Sequence, residues 1–191
     1  MKLVILGRDG TINETSGAFV TSVDEWQPLP GALEAIARLN QAGYTVVVAS
    51  NQPGLGRGLF DAGALNAMHS RMHKLLAAAG GRIDAIFFCP HTPDEGCDCH
   101  KPKPGLVLQI GERYGIPLAG VPVAGDELRD LQAAAAAGCE PHLVQTGRGA
   151  QVCPDGAAPS GFPAGTQVHA DLRAFADAII ARDAQSIALA V

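Results

Sequence analysis

Apolar residues recur along this chain in short runs, which predict buried strands. Each run is mostly apolar and ends in a polar stretch that often contains glycine. Strands without polar alternation are typical of a parallel sheet covered on both faces. The predicted strands are Leu3–Leu6, Tyr44–Ala49, Ile83–Phe88, Val121–Ala124 and His142–Gln145.

Helical patterns separate these strands. Residues 31–42 place Leu33, Ile36 and Leu39 on one face, and Gly43 follows as a C-terminal cap. Further helices are predicted over residues 61–79, with Asp61 as the N-cap, and over 105–114, 127–137 and 171–182, the last as a surface helix. Alternating strands and helices predict one α/β domain over residues 1–191, a three-layer, Rossmann-like parallel sheet.

Two segments fall outside this alternation. Residues 147–165 are rich in glycine and proline, which is typical of a loop. Residues 89–104, CPHTPDEGCDCHKPKP, form a long connection between a strand and a helix. Loops of about 12 residues or more are usually functional or disordered, so this connection needs something to hold it.

Composition narrows the class of protein. The chain has 191 residues, 47% of them hydrophobic, and a formal net charge of −5. This composition argues against disorder, and the acidic balance argues against a nucleic-acid surface. The apolar N-terminal run is too short for a signal peptide, and no run approaches a membrane span. We therefore expect a soluble, cytoplasmic protein, a monomer without a nucleic-acid or membrane partner.

Polar residues gather where the predicted strands end. Asp9 follows the first strand, Ser50 and Asn51 follow the second, Lys101 lies in the loop after the third, and Asp126 follows the fourth. Each alone also fits a turn or a helix cap. In an open parallel sheet, however, the carboxyl ends of the strands face one crevice. Carboxylates, a hydroxyl, an amide and an ammonium in that crevice predict a site for Mg²⁺ and phosphate.

Four stretches in one order carry a resemblance to a known family: GRDGTIN, SNQPGLGRGLF, CPHTPDEGCDCHKPKPG and GDELRDLQAA. They resemble the haloacid-dehalogenase superfamily of phosphatases, within it the branch of heptose-bisphosphate and histidinol-phosphate phosphatases. The resemblance covers residues 3 to 146. It implies a haloacid-dehalogenase-like fold, essentially capless, and a phosphatase that forms and then hydrolyses an aspartyl-phosphate on a small phosphorylated sugar.

The resemblance also implies roles for individual residues. Asp9 is the acid/base, and Asp126, with the backbone carbonyl of Asp9, binds the Mg²⁺. Lys101 pairs with the phosphoryl group, and residues around 15–18 and 51–54 line the substrate. The substrate-binding residues are then Ser50, Asn51, Gln52, Arg57, His100 and Lys101. Arg57 is a candidate for a second anionic group or a sugar hydroxyl.

One departure from the family is decisive for activity. The family begins its first motif with Asp-Arg-Asp, whereas this chain has Gly-Arg-Asp, so Gly7 stands where the nucleophile belongs. His100 replaces the usual arginine, and Glu127 adds a negative charge near the phosphate. Two interpretations stay open: an isolated substitution in a competent enzyme, or a non-catalytic protein that binds a phosphosugar.

The long loop contains a candidate zinc site. Cys89, His91, Cys97 and Cys99 follow the spacing C-x-H-x₅-C-x-C, and three thiolates with one imidazole form a closed tetrahedral Zn²⁺ site. We expect zinc bound to residues 89–99 to be structural. Alternatives are His100 as the fourth ligand, or free or disulfide-bonded cysteines. Outside the loop, we expect Cys139 in the core, Cys153 without a partner, and His69 and His73 on the surface.

Overall fold

A parallel sheet forms the centre of the computed structural model, which describes residues 1–15, 19–153 and 155–189. Across the sheet the strand order is β3-β2-β1-β4-β5-β6. The chain therefore moves outward from β1 in one direction and then crosses to its other side. In chain order the strands are β1 (Lys2–Leu6), β2 (Tyr44–Asn51), β3 (Ala85–Cys89), β4 (Pro122–Gly125), β5 (Glu140–Val144) and β6 (Gln167–His169).

Helices cover both faces of the sheet. They are α1 (Ala32–Gln41), α2 (Pro53–Gly56), α3 (Ala62–Ala78), α4 (Gly105–Tyr114), α5 (Leu128–Ala136), α6 (Gly149–Val152) and α7 (Leu172–Leu189). Alternate side chains of β1 point to opposite faces, so Val4 and Leu6 join a core with α1, α3 and α7. Leu3 and Ile5 join a second core with α4. The predicted three-layer α/β fold is confirmed.

The main differences from the sequence prediction lie in the strands β3, β5 and β6. β3 begins at Ala85 rather than Ile83, because its pairing with β2 starts at Val47 and Ala85. β5 spans Glu140–Val144, two residues earlier than predicted at its start. β6 was not predicted, since three residues give no recognisable pattern.

The last helix also differs from its prediction. It was expected as a surface helix ending at residue 182, but α7 continues to Leu189. Leu172, Phe175, Ala176 and Ile179 are buried in the core shared with α1. Their spacing of three and four residues forms an apolar stripe on one face, which the core covers. Among the described residues, no helix is both long and apolar enough to cross a bilayer.

Candidate active site

A cavity of about 90 Å³ opens at the carboxyl ends of β1, β2 and β4. The strand ends converge there because Leu6 of β1 lies beside Val48 of β2 and Ala124 of β4. Acidic and basic side chains are equally represented in its walls. The acidic residues are Asp9, Asp126, Glu127 and Asp130, and the basic residues are Arg8, Lys101, Arg129 and Arg148. Ser50 and Asn51 also line it.

A tight turn after β1 presents Asp9 to this cavity. The backbone N–H groups of Thr11 and Ile12 donate to the carbonyl of Arg8, and Gly10 adopts a φ of 77°. A Cβ atom at Gly10 would lie 2.0 Å from Asp126 Oδ2. Only glycine therefore allows the turn and the Asp126 carboxylate to approach each other this closely.

Asp9 is held by three side chains. Arg8 Nε donates to Oδ1 at 2.9 Å, Asn13 Nδ2 to Oδ1 at 3.0 Å, and Gln52 Nε2 to Oδ2 at 3.1 Å. Burial alone would raise the pKa of Asp9, but the charge of Arg8 and these hydrogen bonds together lower it. The carboxylate is consequently ionised and fixed in orientation. Gln52 lies behind Asp9 and supports it.

Arg8 has a second partner that the sequence analysis placed on the surface. His69 Nε2 lies 3.1 Å from Arg8 Nη1, and the Arg8 side chain is fully buried. Burial and the charge of Arg8 lower the pKa of His69 to about 4, so its ring is neutral and accepts this hydrogen bond. A buried guanidinium needs hydrogen-bond acceptors, and half-buried His69 supplies one to Arg8 beside the site. His73 is exposed, as predicted.

Lys101 is a second buried cation of the cavity, beside Arg8. Its ammonium donates to the Ala49 carbonyl at 2.9 Å and to Asp130 Oδ1 at 2.6 Å. The Asn51 side chain binds both backbone groups of Lys101. Its Oδ1 accepts from Lys101 N at 3.0 Å, and its Nδ2 donates to Lys101 O at 3.1 Å. Asp130 was missed in the sequence analysis. Its signal was its position four residues after Asp126, in the first turn of α5.

Asp126 lies in an acidic, buried environment. Its Oδ2 accepts the backbone N–H of Arg148 at 2.9 Å, and the residue is only 4% exposed. Burial and the neighbouring charge of Asp130 raise the pKa of Asp126 to about 8. A divalent cation with oxygen ligands would stabilise the ionised form of such a carboxylate, so the donor set fits Mg²⁺.

Three predicted substrate-binding side chains do not line the cavity: Gln52, which donates to Asp9, and Arg57 and His100. Arg57 is exposed, and its guanidinium lies 5.5 Å from the centroid of the Phe19 ring, which is part of the cavity wall. His100 is buried, and its Nδ1 lies 3.6 Å from Cys89 Sγ. Of the predicted segment 15–18, Thr15 lines the cavity, and residues 16–18 lie outside the described residues.

Gly7 forms part of the cavity wall and contributes no functional group. Its N–H donates to the Ala124 carbonyl at 2.8 Å, which continues the pairing of β1 with β4. A Cβ atom at Gly7 would lie 3.0 Å from Thr11 Oγ1 and 3.7 Å from Ala124 O. The Thr11 hydroxyl is fully buried and makes no hydrogen bond to the residues that the structure describes.

The cysteine loop brings its four predicted ligands together. One donor atom from each of Cys89, His91, Cys97 and Cys99 lies within 4.8 Å of the others. Cys89 Sγ is 3.7 Å from Cys97 Sγ, and His91 Nδ1 is 3.3 Å from Cys99 Sγ. Three sulfurs and one imidazole at these separations fit a tetrahedral zinc ion. Gly96 permits the reversal of the loop with a φ of 70°.

The other two cysteines lie in the hydrophobic interior. Cys139 belongs to the core beneath α4, as predicted. Cys153 packs with Leu131 and Leu143, and its thiol donates to the Ala157 carbonyl at 2.8 Å. Cys153 forms no disulfide with the described residues. A buried thiol is a weak donor, and this one finds a backbone acceptor nearby.

The parallel sheet and the charged cavity at the carboxyl ends of β1, β2 and β4 agree with the family of hydrolases that the sequence matches. The chain belongs to the haloacid dehalogenase-like hydrolase family, whose sequence model matches residues 1–138. Within it, the chain is 58% identical to the D-glycero-beta-D-manno-heptose-1,7-bisphosphate 7-phosphatase of Bordetella bronchiseptica. That match spans 180 residues, 94% of this chain and 98% of the relative. The protein of the same name from Pseudomonas aeruginosa is 49% identical over 178 residues, 93% of this chain and 97% of the relative.

Solved structures give the same result. The crystal structure of D,D-heptose 1,7-bisphosphate phosphatase from B. bronchiseptica, complexed with magnesium and phosphate, superposes with a TM-score of 0.90 at 58% identity. The match covers 95% of this chain and 99% of that one. The phosphatase of the same name from Burkholderia thailandensis gives a TM-score of 0.73 at 53% identity, with coverage of 94% and 99%. The resemblance recognised in the sequence is confirmed.

Proposed function

We propose that this protein is a Mg²⁺-dependent phosphatase of the heptose 1,7-bisphosphate 7-phosphatase type, with a site that lacks its nucleophile. The observation that carries the proposal is the cavity at the strand ends, where Asp9, Lys101 and Asp126 meet. The near full-length similarity to heptose-bisphosphate phosphatases supports a small phosphorylated sugar as the ligand.

The side chains of the cavity then have distinct roles. Lys101 binds the phosphoryl oxygens and Ser50 completes the phosphate site, while the Asn51 side chain acts through the Lys101 backbone that it holds. Asp9 exchanges a proton with the sugar oxygen that leaves. Asp126 and the backbone carbonyl of Asp9 would hold Mg²⁺, which when bound neutralises phosphoryl charge. Asp130 keeps the Lys101 ammonium in place through its ion pair.

Gly7 limits what this site does. In the family a carboxylate at this position attacks phosphorus, and glycine has no group that forms that bond. The other binding groups do not depend on position 7, since none of their hydrogen bonds involves it. We therefore expect the chain to bind heptose 1,7-bisphosphate and to hydrolyse it very slowly. A carboxylate placed at position 7 restores hydrolysis.

The test compares the chain with Gly7→Asp and Gly7→Asn, using Mg²⁺ and heptose 1,7-bisphosphate. An added Cβ meets only the Thr11 hydroxyl closely, at 3.0 Å, so both variants are accommodated by a small shift of that group. Gly7→Asp should raise phosphate release by roughly 10³-fold or more, whereas Gly7→Asn, with the same shape, should not. Phosphorus NMR should show loss of the 7-phosphate and retention of the 1-phosphate.

A second candidate is a non-catalytic phosphosugar-binding protein on the same scaffold, favoured by Gly7 itself. The two candidates give different results in the same experiment. A folded Gly7→Asp variant that binds the bisphosphate but releases no phosphate would show that the site has lost more than its nucleophile. The second candidate, a phosphosugar-binding protein, would then be the correct function. Assays of Gly7→Asp with histidinol phosphate, run in parallel, distinguish the heptose-bisphosphate branch of the family from the histidinol-phosphate branch.

A further inference from the structure

Gln52 is buried directly after β2, and its side chain joins two of the residues that line the cavity. Its Nε2 lies 3.1 Å from Asp9 Oδ2 and 2.8 Å from Ser50 Oγ. We propose that Gln52 is a positioning residue that holds the acid/base carboxylate and directs the proton of the Ser50 hydroxyl toward the phosphoryl group. This inference rests on the proposed function, because Asp9 and Ser50 have these roles only in a phosphatase site.

The orientation of the Gln52 amide follows from the chemistry of its partners. Arg8 pairs with the Asp9 carboxylate through two hydrogen bonds, from Nε to Oδ1 at 2.9 Å and from Nη2 to Oδ2 at 3.2 Å. An ionised carboxylate only accepts hydrogen bonds, so the nitrogen of the Gln52 amide faces it rather than the oxygen. The same nitrogen carries a second proton, which it donates to Ser50 Oγ.

This arrangement determines what the Ser50 hydroxyl can do. A hydroxyl has one proton, and a hydroxyl oxygen that accepts from Gln52 keeps that proton for another acceptor. Among the described residues the proton finds an acceptor only in the Asn51 carbonyl, at 3.5 Å, which is beyond the usual range of an O–H···O bond. Ser50 lines the cavity, so its proton is available to a phosphoryl oxygen there.

The backbone holds Gln52 in place before a ligand binds. Its N–H donates to the Cys89 carbonyl at 2.8 Å, and its carbonyl accepts from Leu55 N at 3.1 Å. Pro53 follows directly and restricts the backbone of the residue before it. The Gln52 side chain is buried and does not line the cavity, so it acts on a ligand through the two side chains that it holds.

The two hydrogen bonds of the Gln52 amide distinguish this role from simple packing. The bond to Ser50 concerns the binding of the phosphoryl group, whereas the bond to Asp9 concerns proton transfer and therefore kcat. Removal of the amide should weaken phosphate binding through Ser50 and slow turnover through Asp9. Each effect should depend on one partner alone, which a double-mutant cycle measures.

Isothermal titration of inorganic phosphate, with Mg²⁺ present, measures the coupling to Ser50 without any need for turnover. Gln52→Met keeps the length of the side chain but removes both donated hydrogen bonds, and phosphate should bind about fivefold more weakly. Ser50→Ala should weaken binding about tenfold, because its hydroxyl donates to a charged group. The double variant should bind phosphate as Ser50→Ala does, since the amide then has no hydroxyl to direct. Effects that multiply to about fiftyfold would overturn the inference.

Gln52→Glu tests the direction of the Ser50 proton. This variant keeps the shape of the side chain but places an acceptor where the amide nitrogen was, so the Ser50 hydroxyl donates to it and no longer to the phosphoryl group. Phosphate should bind at least fivefold more weakly, as in Gln52→Met. Affinity equal to that of the unaltered chain would mean that Gln52 only fills space. Gln109→Glu, exposed on α4, is the control for net charge and should match the unaltered chain.

Turnover of heptose 1,7-bisphosphate in the Gly7→Asp background measures the coupling to Asp9. Addition of Gln52→Met should lower kcat about fivefold, and by the same factor when Ser50→Ala is also present. A change confined to KM would contradict the hold on Asp9. Thermal unfolding verifies that each variant is folded, and Gln52→Glu serves in this assay if Gln52→Met does not fold.

The failure of this inference and the failure of the proposed function give different results. If Gly7→Asp hydrolyses the bisphosphate but the effects of Gln52→Met and Ser50→Ala on phosphate affinity multiply, the inference is wrong and the proposed function stands. If Gly7→Asp is inactive while the double variant still matches Ser50→Ala, the coupling of Gln52 to Ser50 stands and the proposed function fails. If the unaltered chain binds no phosphate, both are wrong.

Discussion

The cysteine loop and the phosphate cavity are two polar centres of one chain, and they differ in completeness. The loop contributes four ligands from residues 89–99, and all of their donor atoms lie together. The cavity collects its groups from loops far apart in sequence, and at Gly7 it lacks one. The predicted zinc ligands are all present in the loop, whereas the cavity lacks the carboxylate that the proposed function requires at position 7. An intact cysteine loop is therefore no evidence that the cavity turns over substrate.

The two centres are nevertheless connected. Lys101 follows the last cysteine of the loop by two residues, and its side chain reaches the cavity to pair with Asp130. The Asn51 amide holds the backbone of Lys101 from the end of β2. The loop thus positions the cation that the cavity uses. The following predictions separate the contributions of the two centres, with activity measured in the Gly7→Asp background.

Lys101→Met is expected to have the largest effect. It removes the buried ammonium while keeping the bulk of the side chain, and it leaves the Asp130 carboxylate without its cation. Loss of one preorganised charge at a phosphoryl group lowers kcat/KM by roughly 10³-fold. Lys103→Met is the matched control, because this neighbouring lysine is half-exposed on the same loop. An equal loss in both variants would mean that loop order, rather than the Lys101 charge, determines activity.

Loss of the zinc site should have the next largest effect. Cys99→Ser removes one of four ligands, so we expect zinc content to fall well below one ion per chain and the loop to lose its fixed geometry. Because Lys101 follows the loop, kcat/KM should fall by about 10²-fold, comparable with losses from disrupted support around a site. Elemental analysis and thermal unfolding provide the measurements.

Cys139→Ala is the control for that experiment. This cysteine is buried in the core beneath α4 and is not part of the loop. The zinc content of the Cys139→Ala variant should stay at one ion per chain, although the small void that the substitution leaves in the core lowers the melting temperature. If Cys99→Ser retains full activity, the loop does not position Lys101, and the connection between the two centres is wrong.

Asn51→Ala tests the connection itself. The substitution removes both hydrogen bonds to the Lys101 backbone and leaves the zinc ligands untouched. We expect kcat/KM to fall about 30-fold, since each lost bond near the reacting group costs about 1 kcal/mol. Zinc content should not change. Asn66→Ala, on the exposed side of α3, serves as the control.

Sequence analysis predicted the convergence of these groups better than their orientations. Periodicity located the central strands, and parallel topology implied that Asp9 and Lys101 lie at one edge. The side chain of His100 turns instead to the cysteine loop, where its Nδ1 lies 3.6 Å from Cys89 Sγ. A motif gives the position of a residue along the chain, whereas burial and competing partners set its direction.

Asp130 and His69 were missed for a related reason. Their partners, Lys101 and Arg8, lie 29 and 61 residues away in the sequence. In the sequence, Asp130 in the first turn of α5 is indistinguishable from a helix-stabilising charge, and His69 on α3 is indistinguishable from a surface residue. Only the fold shows that each completes the partners of a buried cation.

Glu127→Gln should give the smallest effect. The sequence alone suggests that the negative charge of Glu127 repels a bound phosphate. In the structure its Oε2 accepts from Arg129 Nε at 2.6 Å and from Arg148 Nη1 at 3.2 Å, so two cations already compensate it. Neutralising it frees these partly exposed arginines, and inorganic phosphate should bind about threefold more tightly, by less than ~1 kcal/mol. The gain should shrink as salt rises, because all three groups are open to solvent.

Isothermal titration of phosphate into the unaltered chain, Glu127→Gln and Glu112→Gln measures this difference. Glu112 is exposed on α4 and serves as the control for net charge, so its variant should match the unaltered chain. A gain of thirtyfold or more in Glu127→Gln would mean that the phosphate experiences the full charge of Glu127 despite the two arginines. Glu127 would then weaken phosphate binding in addition to the limit that Gly7 sets on the chemistry, and the cavity would differ from the cysteine loop in two respects instead of one.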